Sequence, residues 1–204
     1  MQLPENAAAF SNLVRKGRHP CFSNLHSIYP IKDRRLFKRL ERILSALAYW
    51  SPIFCEVSHL PALVFPFVKL VENDLHCFEF TATVLLNWCS EWYEQFPKPP
   101  LKILQEIEML LLHHDKQLHT HLFSCNIPPE LYIWSLLQTL LSEVFSKQEW
   151  CIIWDHIVMN HQQSYLYFVV LAYLIYFRVS ILSCKSISEF EVTFLTFTTL
   201  LIFM

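Results

Sequence analysis

The stretch Asp33–Val68, DRRLFKRLERILSALAYWSPIFCEVSHLPALVFPFV, carries the most information about the fold of this chain. It begins with aspartate, a residue type that commonly caps the N-terminus of a helix. Its apolar residues recur at the spacing i, i+3, i+4, i+7, which places them on one helix face. They are Leu36, Phe37, Leu40, Ile43, Leu44 and Leu47. The other face is basic and comprises Arg34, Arg35, Lys38, Arg39 and Arg42. The pattern predicts an amphipathic helix.

Most of the remaining segments also follow the helical period rather than the alternation typical of strands. We expect a long apolar helix from Leu75 to Phe96, ended by a proline-rich tract, and another that begins at Leu101. Pro128 and Pro129 open a further helix. Its inward positions are Leu131, Leu137, Leu140, Leu141 and Val144. Ser146 and Glu149 are spaced as a capping box. The sequence thus predicts an all-α, multi-helix array without a β-sheet.

Two apolar runs near the C-terminus raise the question of a membrane segment. The run Tyr165–Phe177 has about thirteen residues, whereas a helix that spans a bilayer needs about twenty. We therefore expect a buried helix there and no membrane attachment. A membrane-attached adaptor that uses the apolar end Val192–Met204 is kept as an alternative.

Composition narrows the class of protein. With 204 residues, 53% hydrophobic and 17% charged, the chain suits one domain with a single core. A formal net charge of −2 argues against a nucleic-acid partner, since such proteins carry a strongly basic surface. The basic residues are nevertheless concentrated in the first fifth of the chain, which favours an acidic partner for the basic helix face.

The chain has a single glycine, Gly17, and seven cysteines. Loops that cradle phosphates need several glycines, so P-loop and dinucleotide-binding motifs are excluded and no cofactor is expected. The odd cysteine count, without C-x-x-C or a secretory signal, indicates reduced, mostly buried intracellular thiols.

Two other groups of residues are candidates for a metal site or a catalytic thiol. One is a group of histidines with an aspartate, in which Asp115 and His119 share a helix face: His113, His114, Asp115, His119 and His121. No cysteine pair completes a zinc pattern there, so we interpret the group as a polar helix surface and predict no metal. Cys21 or Cys55 with a nearby histidine could suggest thiol catalysis, but no cysteine-enzyme signature accompanies either.

Five tracts together resemble the Rab-GAP TBC domain family. The first is Leu40-x-x-Ile43-Leu44-x-Ala46-Leu47-Ala48-x-x-x-Pro52, preceded by an opening segment from Asn6-Ala7-Ala8-Ala9-Phe10 to Lys16-Gly17. The others are Ile127-Pro128-Pro129-Glu130-Leu131-Tyr132 and Leu141-x-x-Val144-Phe145, followed by Trp154-Asp155-His156-Ile157. The resemblance covers about residues 3 to 172. It implies a helical TBC fold, with a degenerate TBC-like domain over residues 1–190 and a divergent apolar tail over residues 191–204.

The catalytic motifs of that family are not reproduced. TBC GTPase-activating proteins insert an arginine from I-x-x-D-x-x-R and a glutamine from Y-x-Q into the nucleotide site of a small GTPase. No isoleucine here has aspartate at +3 and arginine at +6, so the arginine motif is not reproduced. Arg34 or Arg35 could act as a substitute finger, but we interpret them as part of a solvated basic helix face. Where the family reads Y-x-Q-G-M, this chain has Cys55–His59, with Val57 in place of glutamine and Glu56 beside it. We predict negligible GTPase activation, with an active Rab GTPase-activating protein as the alternative.

Within the family, the tracts SALAYWSPIF (45–54), FPFVKL (65–70) and FPKPP (96–100) resemble a WD-repeat-containing branch whose own TBC domain is degenerate. This resemblance implies a fragment or short isoform without the propeller and coiled-coil parts. It also implies a cytoplasmic protein at the centrosome, the centriolar satellites and the base of the cilium, acting in cilium assembly. The implied partners are a Rab-family small GTPase and centrosomal proteins.

Overall fold

A computed structural model describes the backbone of residues 7–202 and the side chains of residues 7–194. Every regular element in the described part of the chain is helical, as the sequence pattern predicted. The chain divides into two compact units, Met1–Ser90 and Glu91–Met204. The composition had predicted a single core. The boundary lies shortly before the proline-rich tract 96–100, which the sequence predicted as the end of a helix and not as a boundary between units.

Within the described residues, the first unit contains six α-helices and a short 3₁₀ turn, Pro20–Phe22. The helices are α1 (Ala7–Arg15), α2 (Leu25–Ile28), α3 (Arg34–Trp50), α4 (Ile53–Glu56), α5 (Leu60–Leu70) and α6 (Asp74–Asn87). Its central element is α3, which packs against α1, α5 and α6. The predicted cap is present, since the Asp33 carboxylate accepts the backbone N–H groups of Arg35 at 2.7 Å and Leu36 at 3.1 Å.

The apolar face of α3 forms the centre of this unit. Leu40, Ile43, Leu44 and Leu47 are at most 1% exposed, while Leu36 and Phe37 near the start of the helix are half-buried. Burying each large aliphatic side chain contributes about 1.5–3 kcal/mol, so this one face supplies a large share of the driving force for folding the unit. The predicted amphipathic helix is confirmed.

The last helix of the first unit, α6, is shorter than the sequence predicted. We expected it to run from Leu75 to Phe96, but α6 ends at Asn87 and a 3₁₀ turn follows at Ser90–Tyr93. The Asn87 amide donates to the backbone oxygen of Thr83 at 2.9 Å. Local side-chain bonds of this kind compete with helix continuation, which hydrophobic periodicity does not register.

The second unit contains seven α-helices and one turn of π-helix, Glu130–Trp134, in the described part of the chain. The helices are α7 (Leu101–His114), α8 (Lys116–Ser124), α9 (Ser135–Gln138), α10 (Lys147–Asn160), α11 (Ser164–Tyr176), α12 (Arg178–Ser183) and α13 (Ile187–Ile202). The predicted start at Leu101 and the capping box at Ser146 and Glu149 are confirmed.

A reversal at Leu140 and Leu141 interrupts the helix that was predicted to continue to Val144. Both leucines have positive φ angles, 52° and 61°, and α9 ends at Gln138. A left-handed residue with a Cβ costs about 1–2 kcal/mol. The cost is offset because both leucines are fully buried and the Leu140 carbonyl accepts both indole N–H groups, from Trp150 at 2.8 Å and Trp154 at 3.3 Å.

The first apolar run and residues 192–202 of the second lie on helices of the second unit. The first forms α11, whose buried side chains include Leu166, Val170 and Leu174. The predicted boundary between residues 190 and 191 falls inside α13, where Phe190 and Phe194 are buried and stack with ring centroids 5.1 Å apart. The side chains of residues 195–204 lie outside the described residues. Within the described part of the chain, every helix is too short or too polar to cross a membrane.

The single glycine offers a test of backbone strain. Gly17 follows α1 with φ at 76°, and a Cβ added there would meet nothing within 4 Å. We expect Gly17→Ala to lower the free energy of unfolding by about 1 kcal/mol, entirely from the left-handed backbone. Gly17→Asn should lose less, because asparagine tolerates this conformation. Urea denaturation followed by circular dichroism measures both, and equal stability of Gly17→Ala and the wild type would contradict the assignment.

Candidate functional site

The basic residues of α3 line an open groove at the surface of the first unit. The groove has a volume of about 660 Å³ and lies between α3 and the connection from α5 to α6. Its lining residues are Arg34, Arg35, Lys38, Arg39, Arg42, Glu72, Asn73 and Asp74. The structure therefore brings together all five basic residues that the sequence singled out, with two carboxylates and one carboxamide.

Arg39 is held inside this arrangement and is not a free surface charge. Its guanidinium donates to the Asp74 carboxylate at 2.9 Å and to three backbone oxygens, those of Val68 at 2.9 Å, Val71 at 2.6 Å and Glu72 at 2.9 Å. Only 15% of its side chain is exposed. The carbonyls at the end of α5 lack helical partners, and Arg39 satisfies them. The sequence did not predict this role of Arg39, because periodicity does not show which carbonyls approach the basic face.

The remaining basic side chains divide into two kinds. Arg42 pairs with the second carboxylate oxygen of Asp74, so this carboxylate is shared between two arginines. Arg34, Arg35 and Lys38 are exposed, and the structure records no ion pair for them among the described residues. These last three side chains, which we call the free basic triplet, are the charges available to a partner.

The one carboxamide in the groove belongs to Asn73. Its side-chain oxygen accepts the backbone N–H of His76 at 3.1 Å and so caps α6. The side chain is exposed and shares the groove with the arginines. An arginine and a carboxamide thus occupy one surface, although the oxygen of the carboxamide already stabilises a helix end.

The tract that aligns with the glutamine motif lies elsewhere. Residues 55–59 do not contribute to the lining of the groove. Val57 is only 2% exposed, whereas its neighbours Glu56 and Ser58 face solvent. Burial lowers the pKa of His59 to about 4, so its imidazole is neutral near pH 7. The structure therefore separates Glu56 and Val57 from the basic positions Arg34 and Arg35.

Sequence reasoning considered Cys21 and Cys55 as separate thiols and missed that the two form one cluster with His19 in the first unit. Their ligand atoms all lie within 4.8 Å of one another. Cys21 and Cys55 are 34 positions apart in the chain. The only sequence signal of the cluster is the short pattern His-x-Cys formed by His19 and Cys21. Burial and the neighbouring Cys55 thiol raise the pKa of Cys21 to about 12. A catalytic thiol needs a lowered pKa, so this geometry does not support thiol catalysis.

The histidine group of the second unit has structural partners. Asp115 caps α8 by accepting the Leu118 N–H at 2.9 Å, and it pairs with Arg178 at 2.6 Å. The His121 ring contacts the backbone oxygen of Cys184 at 2.8 Å. Among the described residues, a metal-ligand arrangement of three groups occurs at His19, Cys21 and Cys55 and not in this group.

Comparison with known proteins relates the chain to one domain family. Residues 6–182 match the family model described as the Rab-GTPase-TBC domain. The chain is 49% identical over 195 residues to TBC1 domain family member 31 of Homo sapiens, an alignment covering 95% of this chain and 18% of that protein. Identity is 48% over 195 residues to the Mus musculus protein of the same name, covering 95% and 20%. It is 49% over 193 residues to that of Oryzias latipes, covering 94% and 18%. The chain thus spans about a fifth of the length of the curated relatives that it matches.

Because Arg39 is hydrogen-bonded and Arg34 and Arg35 are exposed, we expect their substitutions to affect stability differently. Arg39→Ala removes the donor for three carbonyls and one carboxylate, and we expect it to lower the free energy of unfolding by about 2–4 kcal/mol. Arg34→Ala and Arg35→Ala should change it by less than about 0.5 kcal/mol, because both side chains are exposed and outside any described ion pair. Urea denaturation of the three variants tests this. If Arg39→Ala were as stable as the other two, its structural role would be refuted.

Proposed function

The chain belongs to the Rab-GTPase-TBC domain family, and from this premise we propose that it is a catalytically inert TBC-type module. In this proposal it binds an acidic partner surface through the free basic triplet, Arg34, Arg35 and Lys38. The observation that carries the proposal is the groove in which these cations have no ion pair with any described residue, beside a wall that the hydrogen bonds of Arg39 hold in place.

The loss of catalysis is inferred from what GTPase activation requires. An inserted arginine stabilises the charge that develops on the terminal phosphate, and a glutamine amide orients the attacking water. The chain contains no glutamine between Gln2 and Gln95. Glu56, which is exposed in the tract aligned with the glutamine motif, would bring negative charge toward the phosphates and oppose the reaction.

The choice of partner rests on the family and on charge. A Rab-family small GTPase is the candidate because TBC domains act on such proteins. The groove contributes five cations against two carboxylates, which favours an acidic surface and speeds its association. By resemblance to the WD-repeat branch, we place the module in the cytoplasm at the centrosome and centriolar satellites, among centrosomal proteins and in cilium assembly.

A second candidate function is an active Rab GTPase-activating protein. One observation favours it: Arg34 and Arg35 are exposed in the same groove as the carboxamide of Asn73. The two functions differ in turnover and not in binding, so one kinetic experiment separates them.

Single-turnover GTP hydrolysis across a panel of Rab proteins tests the loss of catalysis. We expect the chain to leave the rate nearly unchanged, whereas an arginine finger accelerates hydrolysis by about 10³ to 10⁵. Stimulation that disappears in Arg34→Ala or Arg35→Ala would overturn the proposal. Asn73→Ser serves as the matched variant for the carboxamide, since serine keeps the helix cap while removing the amide.

Binding is tested by a pull-down with nucleotide-free, GDP-bound and GTP-loaded Rabs, followed by association kinetics on the partner that is retained. The triple variant R34E/R35E/K38E should reduce the association rate at low salt by about tenfold or more. The control K98E/K147E/K185E changes the net charge by the same amount at exposed lysines of the second unit. Equal losses in both triple variants would show that total charge, and not the groove, governs association.

A further inference from the structure

The cluster of His19, Cys21 and Cys55 has the donor types and spacing of a metal centre. We propose that these three side chains bind a zinc ion, with the fourth coordination position open to water. The site lies in the first unit and is distinct from the basic groove, with which it shares no lining residue.

The distances between the donor atoms suit tetrahedral zinc. Zinc binds thiolate sulfur at about 2.3 Å and imidazole nitrogen at about 2.0–2.1 Å, so the N···S edge of a tetrahedron is about 3.6 Å. The Nδ1 atom of His19 lies 3.0 Å from the Cys21 sulfur and 3.8 Å from the Cys55 sulfur, which brackets this value. The Nδ1 atom also accepts the backbone N–H of Cys21 at 3.3 Å, so binding of the ion would exchange this contact for a bond to the metal.

The donors are positioned by the core of the unit. The backbone N–H of His19 donates to the Ser45 hydroxyl at 3.0 Å, and Ser45 is a buried residue of α3. The imidazole packs edge-on against Tyr49, also on α3, with ring centroids 4.6 Å apart. Cys55 comes from α4. A bound ion would link the 3₁₀ turn that contains Cys21 with α4, which supplies Cys55, and with α3, which holds His19.

The ligand set also indicates which ion would bind. Two cysteines and one histidine form a soft donor set that suits zinc and not magnesium or calcium, which prefer oxygen ligands. Both thiols lose their protons to solvent when zinc binds, so the two thiolate charges balance the charge of the ion. This step needs no oxidant. A Cys21–Cys55 disulfide, the competing use of the same sulfurs, requires an electron acceptor.

The exposure of the cluster determines the open position. Cys21 is exposed, while His19 and Cys55 are half-buried, so water reaches one side of the site. Three protein ligands with a fourth position for water are an established zinc arrangement. The site is adjacent to Glu56 and Val57 in the chain, so a bound ion would brace the tract that replaces the glutamine motif.

Metal analysis of the full chain tests the proposal. The protein is purified in reductant, incubated with zinc chloride, dialysed, and analysed by inductively coupled plasma mass spectrometry. We expect about one zinc per chain in the wild type, and at least about a 100-fold weaker affinity in Cys21→Ser and Cys55→Ser, since each removes a direct ligand. Cys151→Ser, at a half-buried cysteine outside the cluster, is the matched control and should retain zinc.

Two further measurements keep the test independent of folding. Circular dichroism should show unchanged helix content in Cys21→Ser, because this side chain is exposed. Cobalt substitution should give sulfur-to-cobalt charge-transfer and tetrahedral visible bands in the wild type and in Cys151→Ser, but not in Cys21→Ser or His19→Gln. Zinc below about a tenth of an equivalent in the folded wild type, equal zinc in Cys21→Ser, or a Cys21–Cys55 disulfide in the reductant-treated protein would each overturn the proposal.

Discussion

The clamp formed by Arg39 is the interaction on which the described architecture of the first unit depends. One guanidinium supplies donors to the last carbonyls of α5, to the connection that follows, and to the carboxylate at the start of α6. Those carbonyls are the orphan acceptors of a helix end, and leaving them unpaired would cost free energy. The arginine therefore fixes the distance between α3 and the opposite wall of the groove.

The clamp also explains why the groove keeps its positive charge. The Asp74 carboxylate accepts from both Arg39 and Arg42, so this acidic group of the groove already has two cationic partners. Arg34, Arg35 and Lys38, farther toward the N-terminus of α3, then lack a compensating carboxylate in the described part of the chain. A single helix thus has three roles: an apolar face for the core, a clamp for its neighbours, and a charged end for a partner.

The same helix organises the second candidate site. Ser45 and Tyr49 of α3 hold the backbone and ring of His19, which bring its Nδ1 atom to the sulfurs of Cys21 and Cys55. Both surfaces of interest are therefore built on α3, although they use different residues and different chemistry. The tract that replaces the family's glutamine motif follows α3 directly, and its Val57 contributes to packing and not to the surface.

The sequence alone determined the helical class, the cap at Asp33, the buried stripe of α3 and the capping box of α10, because each depends on residues only a few positions apart. It also determined the family, through several tracts spread along most of the chain. It misjudged the end of α6, where the side-chain amide of Asn87 forms a hydrogen bond to the backbone. It also misjudged the reversal at Leu140 and Leu141, where two indole N–H groups donate to the Leu140 carbonyl. Hydrophobic periodicity registers neither interaction. It identified the basic residues of the groove but not that Arg39 is a clamp. It also missed the cluster of His19, Cys21 and Cys55. The Arg39 clamp and the cluster were decided only by the tertiary structure, since their hydrogen-bond partners and metal donors are set by distance in space. Arg39 and Val71 are 32 residues apart in the chain, and Cys21 and Cys55 are 34 apart.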